Sequence, residues 1–104
     1  MNISRIDFSA FPWDQSDVGA RSKAIVRDGK KLRLVEFTDK FVEHGWCMKD
    51  HFGYVLDGEL DISFSDRTER FTEGDGIIIV GGENDRHKVK VAGAVARLIL
   101  VEAA

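Results

Sequence analysis

The sequence predicts an all-β fold, a barrel or sandwich, on three observations. Short runs of β-branched and aromatic residues recur along the chain, Asp-Gly, Gly-Asp or Gly-Gly turn signals punctuate them about every eight to twelve residues from Ala24 onward, and no segment shows a long helical period. Taking the elements in order, residues 23–27 and 31–37 flank Asp28-Gly29, a dipeptide that tolerates positive φ and closes a tight hairpin between right-twisted strands. Asp57-Gly58 reads as a second such hairpin, joining residues 52–56 to residues 59–64. In the latter, Leu60, Ile62 and Phe64 alternate with Glu59, Asp61 and Ser63, the period of a strand with one wet and one buried face. Ile77-Ile78-Ile79-Val80 is an unbroken β-branched run between Gly76 and Gly81-Gly82, which predicts a central strand covered on both faces. Residues 87–91 and 95–101 read as a last pair around Ala92-Gly93-Ala94, with Glu102-Ala103-Ala104 as a short tail. Before Ala24, Phe8, Phe11, Pro12 and Trp13 sit among polar residues without a regular period. The expected organisation is therefore one domain, with residues 1–23 as an arm packed on a barrel of residues 24–104.

Composition bounds what such a domain can do. A chain of 104 residues has room for one modest core, burying about 65% of the surface its unfolded form exposes. Fifteen Lys and Arg are interleaved with eighteen Asp and Glu, for a net charge of -3, which disfavours a surface that tracks nucleic-acid phosphates. No apolar run approaches the roughly 20 residues of a membrane helix, and the amino terminus lacks a stretch of signal-peptide character. The single cysteine, Cys47, excludes an internal disulfide and suits a reducing compartment, so a cytoplasmic location is expected.

Two stretches carry a family likeness: Gly53-Tyr54-Val55-Leu56-Asp57-Gly58-Glu59-Leu60, and Phe71-Thr72-Glu73-Gly74-Asp75-Gly76-Ile77-Ile78-Ile79 followed by His87. Both resemble the signatures of the cupins, which implies a double-stranded β-helix, or jelly-roll barrel, whose interior holds a small-molecule site and often a metal. In the first signature, a His-x-His pair and then a Glu precede the hairpin glycine. Counting back from Gly58 places those positions at Gly45, Cys47 and His51, so this chain departs from the pattern at all three. The second signature runs from glycine through proline and glycine to histidine. Gly74, Val80, Gly82 and His87 hold those roles here, with the proline missing and the final loop two residues longer.

On a regular strand Gly45, Cys47, Lys49 and His51 share one face, and the resemblance makes that face the barrel interior. Cys47, His51 and His87 then form a set of one thiolate and two imidazoles. Such ligands favour zinc, iron, nickel or copper over magnesium or calcium, and three of them leave a position open for water or substrate. His44 is a spare fourth ligand if Gly45 permits an irregular turn. Lys49 is a candidate for holding an anionic ligand, and Tyr54 for placing a hydroxyl at the pocket rim. The bland reading of Cys47 is a small core hydrophobe, and that of residues 81–86 is a surface connection dressed in polar residues. Three functions stand: a metal-dependent enzyme, a module that binds a small-molecule ligand without turnover, and a metal-free structural cupin. A homodimer is expected from the family habit and from the apolar arm and sheet edges of so small a barrel.

Overall fold

The computed structural model describes residues 4–104, so Met1, Asn2 and Ile3 of the expected arm lie outside the described residues. Among the described residues nine strands form two antiparallel sheets: β1 (Asp14–Asp17), β2 (Ala20–Arg27), β3 (Lys30–Thr38), β4 (His51–Asp57), β5 (Glu59–Phe64), β6 (Thr68–Thr72), β7 (Gly76–Ile79), β8 (His87–Val91) and β9 (Val95–Ala103). The larger sheet runs β1-β2-β3-β9-β4-β7 and the smaller β6-β5-β8. This is the jelly-roll arrangement of two packed sheets. Among the described residues, the helical elements are single 3-10 turns at Phe8–Ala10 and Glu83–Asp85, and no helix is long and apolar enough to cross a membrane.

Alternation builds the core. Val35, Val55, Ile77, Ile79, Leu98 and Leu100 point inward from the larger sheet and meet Leu60, Ile62, Phe64 and Val91 from the smaller. Leu60 and Val55 are fully buried. The β2–β3 hairpin closes as expected: Asp28 and Gly29 take φ of 52° and 74°, and Arg27 faces Lys30 across the two-residue turn.

Three expectations are corrected. Asp57-Gly58 is not a hairpin, because β4 pairs with β7 and β9 whereas β5 pairs with β6 and β8; the dipeptide is the corner at which the chain leaves one sheet for the other. Gly58 is needed there because its φ is 80° and a side chain would collide with the Val95 carbonyl. Strand β7 is an edge, not a central strand: Ile77 and Ile79 are buried but Ile78 is 80% exposed. Residues 87–91 and 95–101 do not pair with one another, since β8 joins the smaller sheet and β9 runs between β3 and β4 through Ala103. Glu102 is therefore a buried strand residue and not part of a tail. At the amino end, β1 and the first residues of β2 lie within the region expected as an arm. Lys23 Nζ donates to the Phe8 carbonyl at 2.8 Å, and Trp13 stacks beneath Arg21 and Lys23.

On the outer face of the larger sheet, Glu36 is buried and accepts hydrogen bonds from Arg21 Nε at 2.8 Å and Arg97 Nε at 2.9 Å, while Arg97 also pairs with Asp57 at 3.0 Å. The Arg21 hydrogen bond outweighs burial and, with that of Arg97, lowers the Glu36 carboxyl below its ordinary value of 4.5. A depressed carboxylate stabilises the fold above that value, and the contribution is lost as pH falls through the native one. Glu36→Gln is expected to cost about 1–3 kcal/mol in denaturant unfolding near neutral pH. Its deficit against the wild type should shrink below pH 4.5. Gly81, at φ 87°, lies against the Met48 carbonyl and the Lys49-Asp50 backbone, where an added Cβ would sit 2.7–2.8 Å from its neighbours. Gly81→Ala should therefore destabilise by about 1–3 kcal/mol, read as a lower midpoint in the same experiment.

Candidate metal centre

The site forms where an irregular segment between β3 and β4 folds back onto the smaller sheet. Cys47 and His87 exchange backbone hydrogen bonds, Cys47 N to His87 O at 2.8 Å and His87 N to Cys47 O at 3.0 Å, so their side chains leave the pair on the same side. The Glu43 carboxylate extends this seam by accepting from Val89 N at 2.8 Å. His51, the first residue of β4, points inward with Val55, because its neighbour Phe52 belongs to the exposed set. The register that pairs Phe52 with Val101 sets His51 beside Glu102.

One donor atom each from Cys47, His51 and His87 falls within 4.8 Å of the others. Cys47 Sγ is 3.4 Å from His51 Nε2, and the two imidazole rings meet edge to face at 5.0 Å. Metal–sulfur and metal–nitrogen bonds of about 2.3 and 2.0 Å at a tetrahedral angle require an S···N separation of about 3.5 Å. The Cys47–His51 pair therefore stands at the separation a shared transition metal requires, with the His87 donor within 4.8 Å of both. The far nitrogens are also engaged: His87 Nδ1 lies 3.0 Å from the Asp85 carbonyl, and His51 Nδ1 lies 2.8 Å from Glu102 Oε2, a contact without full hydrogen-bond alignment. A metal-binding histidine commonly has its second nitrogen held in this way.

Glu102 is the functional residue that the sequence reading passed over. Burial alone raises its pKa, but the close contact with His51 Nδ1 and the charge and hydrogen bonds of Arg33 prevail and lower it to about 2. Arg33 grips it with both arms of the guanidinium, Nε to Oε1 at 2.7 Å and Nη2 to Oε2 at 3.1 Å. The signal was available: Ala96, Leu98, Leu100 and Glu102 continue one inward alternation. The remaining candidates are not brought to this cluster. His44 and Lys49 are exposed on the segment that carries Cys47, and Tyr54, 47% exposed, lies on the outer face of the larger sheet opposite Ile99.

Behind the two imidazoles, a cavity of about 40 Å³ is lined by Phe37, Leu60, Ile62, Ile79 and Leu98 among other apolar side chains. Volume on that scale holds two or three heavy atoms, far below the roughly 300 Å³ at which pockets for drug-sized molecules begin. The interior is packed, and Met48 and Phe52 lie outside it, 49% and 48% exposed.

Neither a protein-family model nor a curated protein sequence matches the chain. Solved structures do. The polyketide cyclase RemF from Streptomyces resistomycificus aligns with a TM-score of 0.80 at 19% identity, over 98% of this chain and 80% of that one. KdgF from Halomonas sp. aligns at 0.78 and 16% identity, over 96% of this chain and 94% of that one. A cupin-2 domain-containing protein from Shewanella frigidimarina aligns at 0.64 and 23% identity, over 80% of this chain and 79% of that one. With two jelly-roll sheets, the two signature stretches at their turns and these neighbours, the chain has the fold of the cupins.

Proposed function

We propose that this protein binds one divalent transition metal through Cys47, His51 and His87 and presents it to a small ligand. The observation that supports this reading is the convergence of three donor atoms within 4.8 Å, with the far nitrogen of each imidazole already engaged by the protein. One thiolate and two imidazoles suit zinc, iron or nickel. A metal held by three protein ligands acts as a Lewis acid toward a ligand in the remaining position. The chain's own residues supply the rest: Glu102 orients His51, the Asp85 carbonyl orients His87, and the packed interior keeps water from the inner side of the rings. Cys47 is partly exposed, which gives a ligand its approach from the solvent side. The lone thiol serves as a metal ligand in a reducing compartment such as the cytoplasm.

Elemental analysis of untagged protein tests this reading. About one metal per chain is expected, lost in Cys47→Ser, His51→Ala and His87→Ala variants that remain folded by circular dichroism. No metal in the wild type after incubation with zinc, iron and nickel would overturn it and leave a metal-free cupin.

A second reading concerns assembly. Ile78, Phe52, Val101, Leu32 and Ile25 form one row across five strands on the outer face of the larger sheet. Its β2 end adjoins Ile6, where a groove between the amino-terminal segment and the sheet is lined by Ile25, Leu32 and Val101. At the other end Ile78, Phe52 and Val101 are 80%, 48% and 43% exposed. The next outward row, Tyr54, Ile99, Leu34 and Lys23, continues this largely apolar face, and beyond it Arg21, Glu36, Arg97 and Asp57 satisfy one another, so an apolar cover suits the face. We propose that the cover is the same face of a second copy, in a two-fold dimer. Light scattering should give a dimer mass for the wild type and a monomer mass for Phe52→Asp. A monomeric wild type at micromolar concentration would refute the pairing.

A further inference from the structure

We infer that Arg33 is the positioning residue of the metal centre: by gripping both oxygens of Glu102 it makes that carboxylate the orienter of His51 and keeps it from becoming a ligand itself. The inference rests on the metal-binding reading above and adds what sets the affinity and the ligand number. A buried glutamate beside two histidines and a cysteine is itself a competent ligand for zinc or iron. Glu102 is 9% exposed and touches His51, yet it stands outside the group of converging donors. Arg33 accounts for that. Its Nε and Nη2 occupy Oε1 and Oε2 at 2.7 and 3.1 Å, and Oε2 is shared with His51 Nδ1 at 2.8 Å.

The sheet register builds this clamp. Arg33 pairs with Leu100 and Lys31 with Glu102, so Arg33 and Glu102 sit diagonally on the inward face of adjacent strands, within reach of a long side chain. The Arg33 side chain is only 24% exposed, unlike the surface ion pairs of Arg67 and Arg70. The planar fork matters, because a lysine at this place supplies the charge without holding both oxygens. With a carboxylate facing Nδ1, a neutral His51 carries its proton on that nitrogen and turns the Nε2 lone pair toward Cys47 Sγ, 3.4 Å away. The site is thereby set for metal before any metal arrives.

The test compares wild type, Arg33→Met, which keeps the length of the stem, Arg33→Lys and Glu102→Gln, each checked for folding by thermal melting. Two measurements are made on each. Nitrogen-15 imidazole spectra of the metal-free proteins at mildly alkaline pH report the His51 tautomer, and competition with a chromophoric chelator gives cobalt and zinc affinities. The expected result is a single Nδ1–H tautomer in the wild type and a mixture in Arg33→Met and Glu102→Gln, with affinity reduced about 10–100-fold in Glu102→Gln, where the orienter is lost and no new ligand is gained. The cobalt spectrum of Arg33→Met should also shift toward a higher coordination number as Glu102 is released. Should Arg33→Met fail to fold, Arg33→Lys carries the test, with the same direction of change. An unchanged tautomer and an affinity within about threefold of wild type in the folded variants would overturn the inference. If the wild type binds no metal, the tautomer measurement alone decides the role of Arg33, and the metal reading fails separately.

Discussion

The reciprocal backbone hydrogen bonds between Cys47 and His87 are the constraint on which the site depends. The segment that carries Cys47 belongs to the connection between two strands of the larger sheet, and His87 opens a strand of the smaller one. Pairing them closes one end of the barrel and fixes the thiol and an imidazole on the same side of a two-residue seam. The seam needs support at both flanks. Glu43 provides it on one side through Val89, and on the other Gly82 N donates to the Met48 carbonyl at 2.8 Å, with Gly81 allowing the backbones to approach. The turn of Glu83–Asp85 completes the arrangement, since the Asp85 carbonyl holds the His87 ring while its carboxylate accepts from Val80 N. What looks like a surface connection is the scaffold of the ligand-bearing segment.

The second half of the site is organised by β9. This strand alternates strictly, and its inward residues change from Ala96, Leu98 and Leu100 in the core to Glu102 at the barrel end. A buried carboxylate is costly unless paired, and here Arg33 and His51 pair it from two directions. Core packing and site chemistry thus share one strand: the register that buries Leu98 and Leu100 also delivers Glu102 to His51.

Much of the fold was legible because it is written in local chemistry. The Asp28-Gly29 turn, the alternation of residues 59–64 and the β-branched run at 77–80 each specify a strand or a turn without reference to the rest of the chain. What could not be read was partnership. A positive-φ glycine after an aspartate serves a hairpin and a sheet-to-sheet corner equally well, and only the pairing of the next strand distinguishes Gly29 from Gly58. Ile78 and Val80 look like core residues, yet they are exposed, because alternation turns them away from buried Ile77 and Ile79 and toward an open face of the larger sheet. Strand β6 gave little signal since Thr68–Thr72 is largely polar, its outward Arg70 pairing with Asp61 and Glu59. In the site, the spacing of Cys47, His51 and His87 was visible through the family likeness. Glu102 was hidden by its charge, which made a buried strand residue read as the start of a tail.

The edge position of β7 bears on how copies of this protein can meet. An unpaired strand edge normally invites another chain to add on and extend the sheet. Here that edge is only four residues long, and the amide of Val80 just beyond it is already capped by the Asp85 carboxylate at 2.9 Å. The strand that displays the most exposed large apolar residue of the row is therefore poorly built for open-ended growth. In the two-fold pairing proposed above, contact at this end of the molecule would be made face to face and not by adding strand to strand.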